Sequence, residues 1–475
     1  MPFDLKIFHD YDIRGIYPTE INESIYTLIG QALAKYVKIG PIAVGHDMRI
    51  SSPSLSRALI EGITSLGIDV VDLGLISTEM LYFACGKYDY PLSCIVSASH
   101  NPPEYNGLKG VLRGMIALNG SYGFPEIKEI IAKQFSDKTP RGWQAGVATQ
   151  AMTPPMVKES RKIGTVTTKN ILTDWISHLL SFVDEKFLKP LKVVVDAGNG
   201  MAGITWQNLM AKLPIEIIPL YFEPDGTFPH HIPNPLEESN LKDIKKKIRQ
   251  ENADCGFAFD GDADRFFILD GKGEVLSGTI TTAILASHLL QKHGPASILY
   301  NAICGRIVPE TIKKYHGTPY RVRVGHSFIK QYMRQFDGLF AGEHSGHYYF
   351  KYNHYADSSA IAALLFLEYV SKVGKKVSDM RLEFDKYPQS GELNFLAPNI
   401  DEILNTIRTN QSKKATSIDE IDGLSIWYPT WWFNMRASKT EPLLRLNIEA
   451  DNKTILQEKK TQLIDKLLTL GAKLK

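Results

Sequence analysis

The sequence lacks the features that mark membrane-spanning, disulfide-stapled or exported proteins. Its longest apolar run is Ala360–Leu367, which is too short to cross a bilayer and predicts a buried helix. Only four cysteines occur in 475 residues, widely spaced and without a Cys-x-x-Cys pair, so we expect buried, reduced thiols. The chain begins without a basic segment followed by an apolar one, so no signal peptide is expected and a cytoplasmic location is predicted.

An excess of charge of either sign is also missing. The formal net charge is +2, so composition gives no reason to expect a nucleic-acid or membrane-surface partner. Hydrophobic residues make up 44% and charged residues 22%, which is ordinary for a globular protein. The length of 475 residues is typical of three or four domains.

The most informative stretch that is present reads Ser97-Ala-Ser-His-Asn-Pro-Pro-Glu-Tyr-Asn-Gly-Leu-Lys109. The apolar run Cys94-Ile-Val predicts a buried strand that leads into it, and the Ser, Asn, Pro and Gly residues predict a loop. A serine such as Ser99, at the end of a core strand, is placed to act as a nucleophile or phosphate carrier. His100 and Lys109 are possible proton handlers nearby. The alternative interpretation is a polar turn that caps a helix.

A second stretch, Asp260-Gly-Asp-Ala-Asp-Arg265, places three carboxylates at alternate positions after a strand-like run. Such carboxylates converge only around a cation, and oxygen-only ligands favour a hard ion such as Mg²⁺ or Ca²⁺. An EF-hand would need Gly and Glu where Arg265 and Gly271 stand, so that interpretation fails. A solvated acidic turn is the remaining alternative. Arg265 beside the carboxylates suggests a second, anionic ligand such as phosphate.

With two further motifs, these stretches resemble the α-D-phosphohexomutases, in particular the phosphomannomutase/phosphoglucomutase branch. The further motifs are Gly342-Glu-His-Ser-Gly-His347 and Arg436-Ala-Ser-Lys-Thr-Glu-Pro442, and all four occur in family order. Shorter stretches also resemble the family: Tyr11–Gly15, Gly45–Arg49, Pro224–Pro229 and Gly325–Lys330.

The resemblance implies an α/β fold with the four-domain phosphohexomutase architecture. Three α/β domains with mixed sheets and a smaller C-terminal α+β domain are expected around a central cleft. Strand-like and helix-like runs that alternate from Pro41 onward agree with this. Breaks in composition give the expected boundaries: a phosphoserine domain (1–160), an Mg-binding domain (169–271), a sugar-recognition domain (272–386) and a C-terminal phosphate-binding domain (387–475).

The activity that the resemblance implies is the interconversion of mannose 6-phosphate and mannose 1-phosphate. It would use a phosphoserine enzyme and a hexose 1,6-bisphosphate intermediate, in a monomer or weak homodimer. The implied metal is Mg²⁺, held by Ser99 (through its phosphoryl group), Asp260, Asp262 and Asp264. The implied catalytic residues are Ser99, His100, Lys109, Arg265 and His326, with Lys109 the preferred general base. The implied substrate-binding residues are Arg14, Arg49, Glu343, Ser345, His347, Arg436, Ser438, Lys439 and Thr440.

Three departures from the family pattern bear on these expectations. Lys439 stands where asparagine is usual, which adds a cation expected to affect phosphate binding. Ile303 stands where some members have a substrate-contacting lysine, so that contact must be absent or come from another residue. Ser97 replaces the more usual threonine, with little expected effect.

Other functions remain as alternatives. Phosphoglucomutase activity or dual specificity is possible because the sugar motif reads hydroxyls common to both hexoses. A catalytically silent sugar-phosphate sensor is a remote alternative. A nicotinamide-dependent oxidoreductase is another, because Gly198-Asn-Gly-Met-Ala-Gly203 matches the dinucleotide fingerprint, with Glu223 at a suitable distance. In the resembling family the same segment is a strand-to-helix turn where glycines allow tight packing.

Overall fold

The computed structural model describes residues 4–136, 162–438 and 443–475. The chain divides into two compact units, Met1–Ile171 and Leu172–Lys475, and each is described by itself below. Lys439 and Thr440, and most of the segment that separates the first two expected domains, lie outside the described residues.

The first unit contains a mixed sheet with helices. Its strands are β1 (Ile13–Ile16), β2 (Ile42–His46), β3 (Val70–Leu75), β4 (Leu92–Val96), β5 (Tyr105–Leu112), β6 (Ile116–Ala117) and β7 (Val166–Thr168). Its helices are α1 (Glu23–Val37), α2 (Ser52–Thr64), α3 (Thr78–Tyr88) and α4 (Phe124–Ser136). The sheet order is β1-β5-β4-β2-β3-β7, with β6 beside β5.

The central strands of this sheet explain the position of the serine loop. Strands β2 and β4 are parallel and almost wholly buried, as their continuous apolar runs predict. Leu33 of α1 and Leu59 of α2 belong to the same buried core as Val44 and Val96. The loop that carries Ser99 follows the carboxyl end of β4, where open α/β sheets place their ligands.

The second unit begins with another mixed sheet, in the order β12-β11-β10-β8-β9. Its strands are β8 (Lys192–Asp196), β9 (Glu216–Leu220), β10 (Cys255–Phe259), β11 (Phe266–Asp270) and β12 (Val275–Leu276). Its helices are α5 (Leu172–Leu180), α6 (Ala202–Met210) and α7 (Lys242–Glu251). Strands β10 and β11 are antiparallel, and the aspartate loop joins them.

A third mixed sheet follows in the same unit, in the order β14-β13-β15-β16-β17. Its strands are β13 (Ser297–Asn301), β14 (Thr318–Val322), β15 (Phe340–Gly342), β16 (Tyr348–Phe350) and β17 (Ala356–Asp357). Its helices are α8 (Gly278–His293), α9 (Ile307–Lys314), α10 (His326–Gln335), α11 (Ser359–Val373) and α12 (Val377–Phe384). The Gly342–His347 motif joins the antiparallel strands β15 and β16.

The last sheet is antiparallel throughout its described strands, in the order β19-β20-β21-β22-β18-β23. These are β18 (Leu393–Leu396), β19 (Ser417–Asp419), β20 (Leu424–Trp427), β21 (Trp431–Ala437), β22 (Leu443–Ala450) and β23 (Lys473–Leu474). Helices α13 (Ile400–Gln411) and α14 (Lys453–Thr469) contribute Ile407 and Leu467 to its core. Three mixed α/β sheets and a C-terminal antiparallel sheet confirm the expected fold class in these respects.

Two expected domain boundaries fall inside sheets. Strand β7 pairs with β3 beyond the expected boundary at residue 160, and β12 pairs with β11 beyond the one at residue 271. The apolar run Ala360–Leu367 lies in α11 and is buried as predicted. All four cysteines are buried free thiols, also as predicted. Among the described residues, no helix is both long enough and apolar enough to cross a membrane.

Candidate active site

The loop after β4 holds Ser99 in a conformation that most residues avoid. Ser99 is 3% exposed and its φ of 49° lies in the left-handed region. Its backbone N–H donates to Ser97 Oγ at 3.1 Å. Ser99 Oγ lies 3.2 Å from His100 Nδ1. Strained backbone of this kind persists where the surrounding structure fixes it, and it is common at functional sites.

Arg49 holds much of the backbone of this loop in place. The guanidinium is fully buried and donates to the carbonyl oxygens of Ser99 (2.8 Å), Asn101 (2.6 Å), Pro102 (2.7 Å) and Tyr105 (2.9 Å). Its Nε lies 3.4 Å from Asp47 Oδ2. Through these contacts Arg49 holds the backbone of the Ser99 loop in place. The sequence motif had instead suggested that Arg49 contacts the substrate.

Arg14 and Lys109 lie at the edges of the same loop. Arg14 is partly exposed, donates to Ala98 O at 2.9 Å and also contacts the side chains of Asp12 and Asn101. Lys109 lies on β5, the antiparallel neighbour of β4, and is 9% exposed. Both expected residues therefore belong to the framework around Ser99.

Replacing Arg49 by lysine should loosen this loop while it keeps the charge. A lysine ammonium is compact and cannot reach all four carbonyl oxygens. The variant therefore loses hydrogen bonds that the planar guanidinium of Arg49 provides. We expect the free energy of unfolding to fall by about 3 kcal/mol, the usual cost of disrupting a buried charged network. Chemical denaturation measures this loss. A stability equal to wild type would contradict the organising role of Arg49.

The aspartate loop has the properties of a metal site. Asp260 and Asp262 are fully buried and Asp264 is 3% exposed, and one oxygen from each lies within 4.8 Å of the others. Asp260 Oδ1 accepts the backbone N–H groups of Asp264 and Arg265, both at 3.1 Å, which tightens the turn. Three buried carboxylates this close repel one another unless a cation lies among them. The donor set therefore fits a hard metal ion.

A hydrogen-bonded network extends from the aspartate loop to the Gly342–His347 motif. Arg265 Nε lies 3.6 Å from Asp260 Oδ2 and 3.2 Å from His347 Nε2. His347 Nδ1 lies 3.7 Å from Asp264 and 3.1 Å from Asp357. Burial opposes protonation of His347, but the Asp264 and Asp357 carboxylates outweigh it and raise its pKa. The structure thus brings together Arg265 and His347, which the sequence analysis assigned separately.

Asp357 and Lys330 complete this network. Their side chains are buried and form an ion pair at 2.9 Å. Burial opposes ionisation of Asp357, but Lys330 and His347 hold its pKa well below its usual range, with a smaller effect from His326. Asp264, His347 and Asp357 also cluster closely enough to hold a metal. Lys330 already neutralises Asp357, so the three-aspartate cluster is the better cation site.

The Gly342–His347 motif presents a buried carboxylate with fixed partners. Glu343 is 2% exposed and accepts hydrogen bonds from Tyr349 Oη (2.6 Å), Asn301 Nδ2 (3.2 Å) and the Gly325 backbone (3.4 Å). These donors fix the orientation of the Glu343 side chain. Ser345 is partly exposed two residues later. Neither Tyr349 nor Asn301 was singled out from the sequence, because apolar patterning places both simply in buried strands.

Arg436 and Ser438 lie at the end of β21. The Arg436 side chain is 11% exposed and pairs with Glu392 at 2.9 Å. The Ser438 backbone N–H donates to Leu443 O at 2.8 Å, next to the paired residues Ala437 and Leu444 of β21 and β22. The assignments of Lys439 and Thr440 concern residues outside the described part of the chain.

The Gly198–Gly203 segment packs tightly, as the resemblance implied. It joins β8 to α6, and Met201 N donates to Gly261 O at 2.9 Å within the aspartate loop. A Cβ on Gly200 would lie 2.7 Å from Gly261 O, and one on Gly203 would lie 2.0 Å from Phe222 O. Close backbone packing therefore explains these glycines without a dinucleotide.

A fixed hydroxyl nucleophile and a carboxylate site for a hard cation are the equipment of metal-dependent phosphoryl transfer. Arg436, near the end of β21, adds a guanidinium of the kind that binds anions. These features are those expected of a phosphotransferase.

Comparison with known proteins makes the class specific. Sequence models of the phosphoglucomutase/phosphomannomutase α/β/α domains I, II and III match residues 5–138, 173–273 and 277–387, and the C-terminal domain model matches 392–466. The phosphohexose mutases protein of Xanthomonas campestris pv. campestris (strain B100) is 37% identical over 465 residues, covering 98% of this chain and 99% of the relative. A phosphomannomutase of Methanocaldococcus jannaschii is 37% identical over 477 residues, covering 99% of both chains.

A solved structure agrees with the sequence relatives. The phosphoglucomutase/phosphomannomutase family protein of Burkholderia thailandensis matches with a TM-score of 0.86 and 28% identity, covering 99% of both chains. The chain therefore belongs to the phosphoglucomutase/phosphomannomutase family. It is an enzyme of the phosphohexomutase type, an intramolecular phosphotransferase of the isomerase class.

Proposed function

We propose that the protein is a phosphomannomutase that interconverts mannose 6-phosphate and mannose 1-phosphate. The observation that carries this choice of sugar is the name of the Methanocaldococcus jannaschii relative, which aligns along nearly the whole chain. Phosphoglucomutase or dual specificity is the second candidate, favoured by the combined family name of the Burkholderia thailandensis structure. The intact Ser99 and the intact aspartate cluster speak against a silent sensor.

In the proposed reaction Ser99 carries a phosphoryl group on Oγ. The phosphoryl group passes to the free hydroxyl of the hexose phosphate, whose proton goes to a general base, while Ser99 Oγ takes up a proton and a hexose 1,6-bisphosphate forms. The sugar then turns around, and Ser99 Oγ gives up its proton as it accepts the other phosphoryl group. The leaving sugar oxygen regains a proton. Lys109 is the proposed base, with His100 and His326 as rivals.

The proposed metal is Mg²⁺, held by Asp260, Asp262 and Asp264 with an oxygen of the Ser99 phosphoryl group. Their oxygen-only donor set supports this ion. When bound, Mg²⁺ would neutralise charge on the phosphoryl group. The Arg265 guanidinium, next to the cluster, is proposed to add positive charge for the same phosphoryl group.

Substrate recognition is proposed to fall to the remaining motif residues. Glu343, Ser345 and His347 would bind sugar hydroxyls, and the fixed orientation of Glu343 supports this. Arg436, Ser438, Lys439 and Thr440 would hold the substrate's own phosphate. Arg14 would help to neutralise the transferring phosphate, and Arg49 would hold the loop that presents it.

Four further features belong to the proposal. The domain boundaries are those given above, adjusted so that β7 and β12 stay with their sheets. A cytoplasmic location is supported by the buried free thiols, which suit a reducing compartment. The expected state is a monomer or weak homodimer, which light scattering measures. No nucleic-acid or membrane partner is expected, given the net charge of +2.

Side-by-side turnover of mannose 1-phosphate and glucose 1-phosphate tests the choice of sugar. We expect kcat/KM to favour the mannose compound. The two sugars differ only in the configuration at C2, so the expected ratio is about tenfold, typical of one hydrogen bond gained or lost. Equal values would establish dual specificity, and a ratio in favour of glucose 1-phosphate would contradict the proposal.

A further inference from the structure

Two arginines face one another at the start of the Arg436–Pro442 motif, which is called the phosphate loop below. In the antiparallel pair β21–β22, Arg436 is directly opposite Arg445. Residues directly opposite one another in such a pair share a face, and like charges there destabilise the sheet. Because of this register, an anion between the two guanidinium groups would stabilise the sheet.

Glu392 provides that anion from the next strand. Glu392 precedes β18, which pairs with β22 so that Asn394 is opposite Arg445. Because alternate residues of an extended chain share a face, Glu392 points to the same side as the arginines. One carboxylate oxygen lies 2.9 Å from Arg436 Nη2, and the other lies 3.2 Å from Arg445 Nη1. A single side chain thus bridges both guanidinium groups.

This bridge lies near the sugar motif. Burial lowers the pKa of His344, which belongs to Gly342–His347, and Glu392 and Arg436 act on the same pKa in opposite directions. His344 and Gly391, the residue before Glu392, also line one cavity. The Glu392 carboxylate therefore lies close to the motif that is proposed to bind the sugar.

We propose that Glu392 is an internal competitor for the phosphate group of the substrate. Its carboxylate takes the place of a phosphate between Arg436 and Arg445, so a sugar phosphate must displace it or bind against its charge. The inference rests on the proposed function, because it assumes that Arg436 binds the substrate's phosphate. The Glu392 carboxylate thus lowers the affinity for the substrate's phosphate, and it neutralises the two arginines whenever that phosphate leaves. Both effects favour the turning of the bisphosphate intermediate within the site.

The test is the affinity of the full-length protein for inorganic phosphate and for glucose 1,6-bisphosphate, measured by calorimetry. Glu392→Gln keeps the shape and removes the charge, so both ligands should bind about three- to tenfold more tightly, as expected for removing one nearby negative charge. The gain should shrink at high salt. Asp465→Asn, an exposed position on α14, removes one charge from the same domain and should leave both affinities unchanged.

Two further variants separate the possible failures. Arg436→Met should abolish most phosphate binding, and wild-type binding in this variant would contradict the proposed phosphate loop itself. If Arg436→Met loses binding while Glu392→Gln binds no more tightly than wild type, the competitor proposal is overturned and the proposed function stands. Should Glu392→Gln fail to fold, Glu392→Asp decides. Its shorter side chain cannot reach both guanidinium groups, so a smaller gain in affinity is expected, and no gain overturns the proposal.

Discussion

Replacing Ser99 by alanine is expected to lower kcat by several orders of magnitude, because it removes the hydroxyl that is proposed to carry the phosphoryl group. In the proposed mechanism Ser99 donates its phosphoryl group in the first half-reaction and accepts another in the second, so removal of its hydroxyl stops both. Steady-state turnover of mannose 1-phosphate measures the loss. Intact-mass spectra should show a phosphate on the wild-type chain that the variant lacks.

The backbone of Ser99 provides a control for this experiment. Its φ of 49° costs alanine about 1–2 kcal/mol, whereas glycine adopts that region freely. Ser99→Gly should therefore match Ser99→Ala in activity and exceed it in stability. Ser97→Ala keeps the Ser99 hydroxyl and loses only the acceptor of the Ser99 N–H, so it should retain phosphate and much of its turnover. Near-wild-type turnover in both Ser99 variants would rule out the phosphoserine.

The second large effect concerns the aspartate cluster. Chelation should abolish activity and Mg²⁺ should restore it. Asp262→Asn keeps the shape of the loop and removes one of three mutually repelling charges. The metal-free variant should therefore be more stable than metal-free wild type, while its affinity for Mg²⁺ falls by at least about tenfold.

Thermal unfolding with and without Mg²⁺ separates these effects from catalysis. Wild type should gain a large increase in Tm on adding Mg²⁺, because an ion that binds only the folded state stabilises it. Asp262→Asn should gain less at the same concentration, and Asp465→Asn should behave like wild type. Normal turnover by metal-free enzyme, or a Tm that does not change when Mg²⁺ is added, would show that the cluster is not a metal site.

Local patterns predicted the elements that carry the site. The apolar runs before Ser99 and Asp260 are the buried strands β4 and β10, because a strand buried on both faces leaves a continuous apolar signature. The alternating aspartates predicted a carboxylate cluster, and the structure places the three side chains close enough to hold a metal ion. The short strands β7 and β12 leave no comparable signature, so the expected boundaries cut through their sheets.

Contacts between distant segments were not predictable in the same way. Arg49 belongs to a motif, but only the folded loop reveals that its guanidinium binds carbonyl oxygens. Lys330 and Asp357 belong to separate segments, and no local sequence pattern predicts that they form a buried ion pair. Glu392 bridges two arginines because three strands are in a particular register, which a single sequence does not specify.

Transfer of labelled phosphate from Ser99 to sugar tests the central claim most directly. Enzyme that carries labelled phosphate on Ser99 is mixed with a small excess of unlabelled mannose 1-phosphate, and protein and sugar are separated at successive times. The label should leave the protein at the rate of a single turnover and appear first in the hexose 1,6-bisphosphate. The amount transferred should reach up to one equivalent of labelled phosphate per chain. Accumulation of mannose 6-phosphate while all the label stays on the protein would contradict the phosphoserine mechanism.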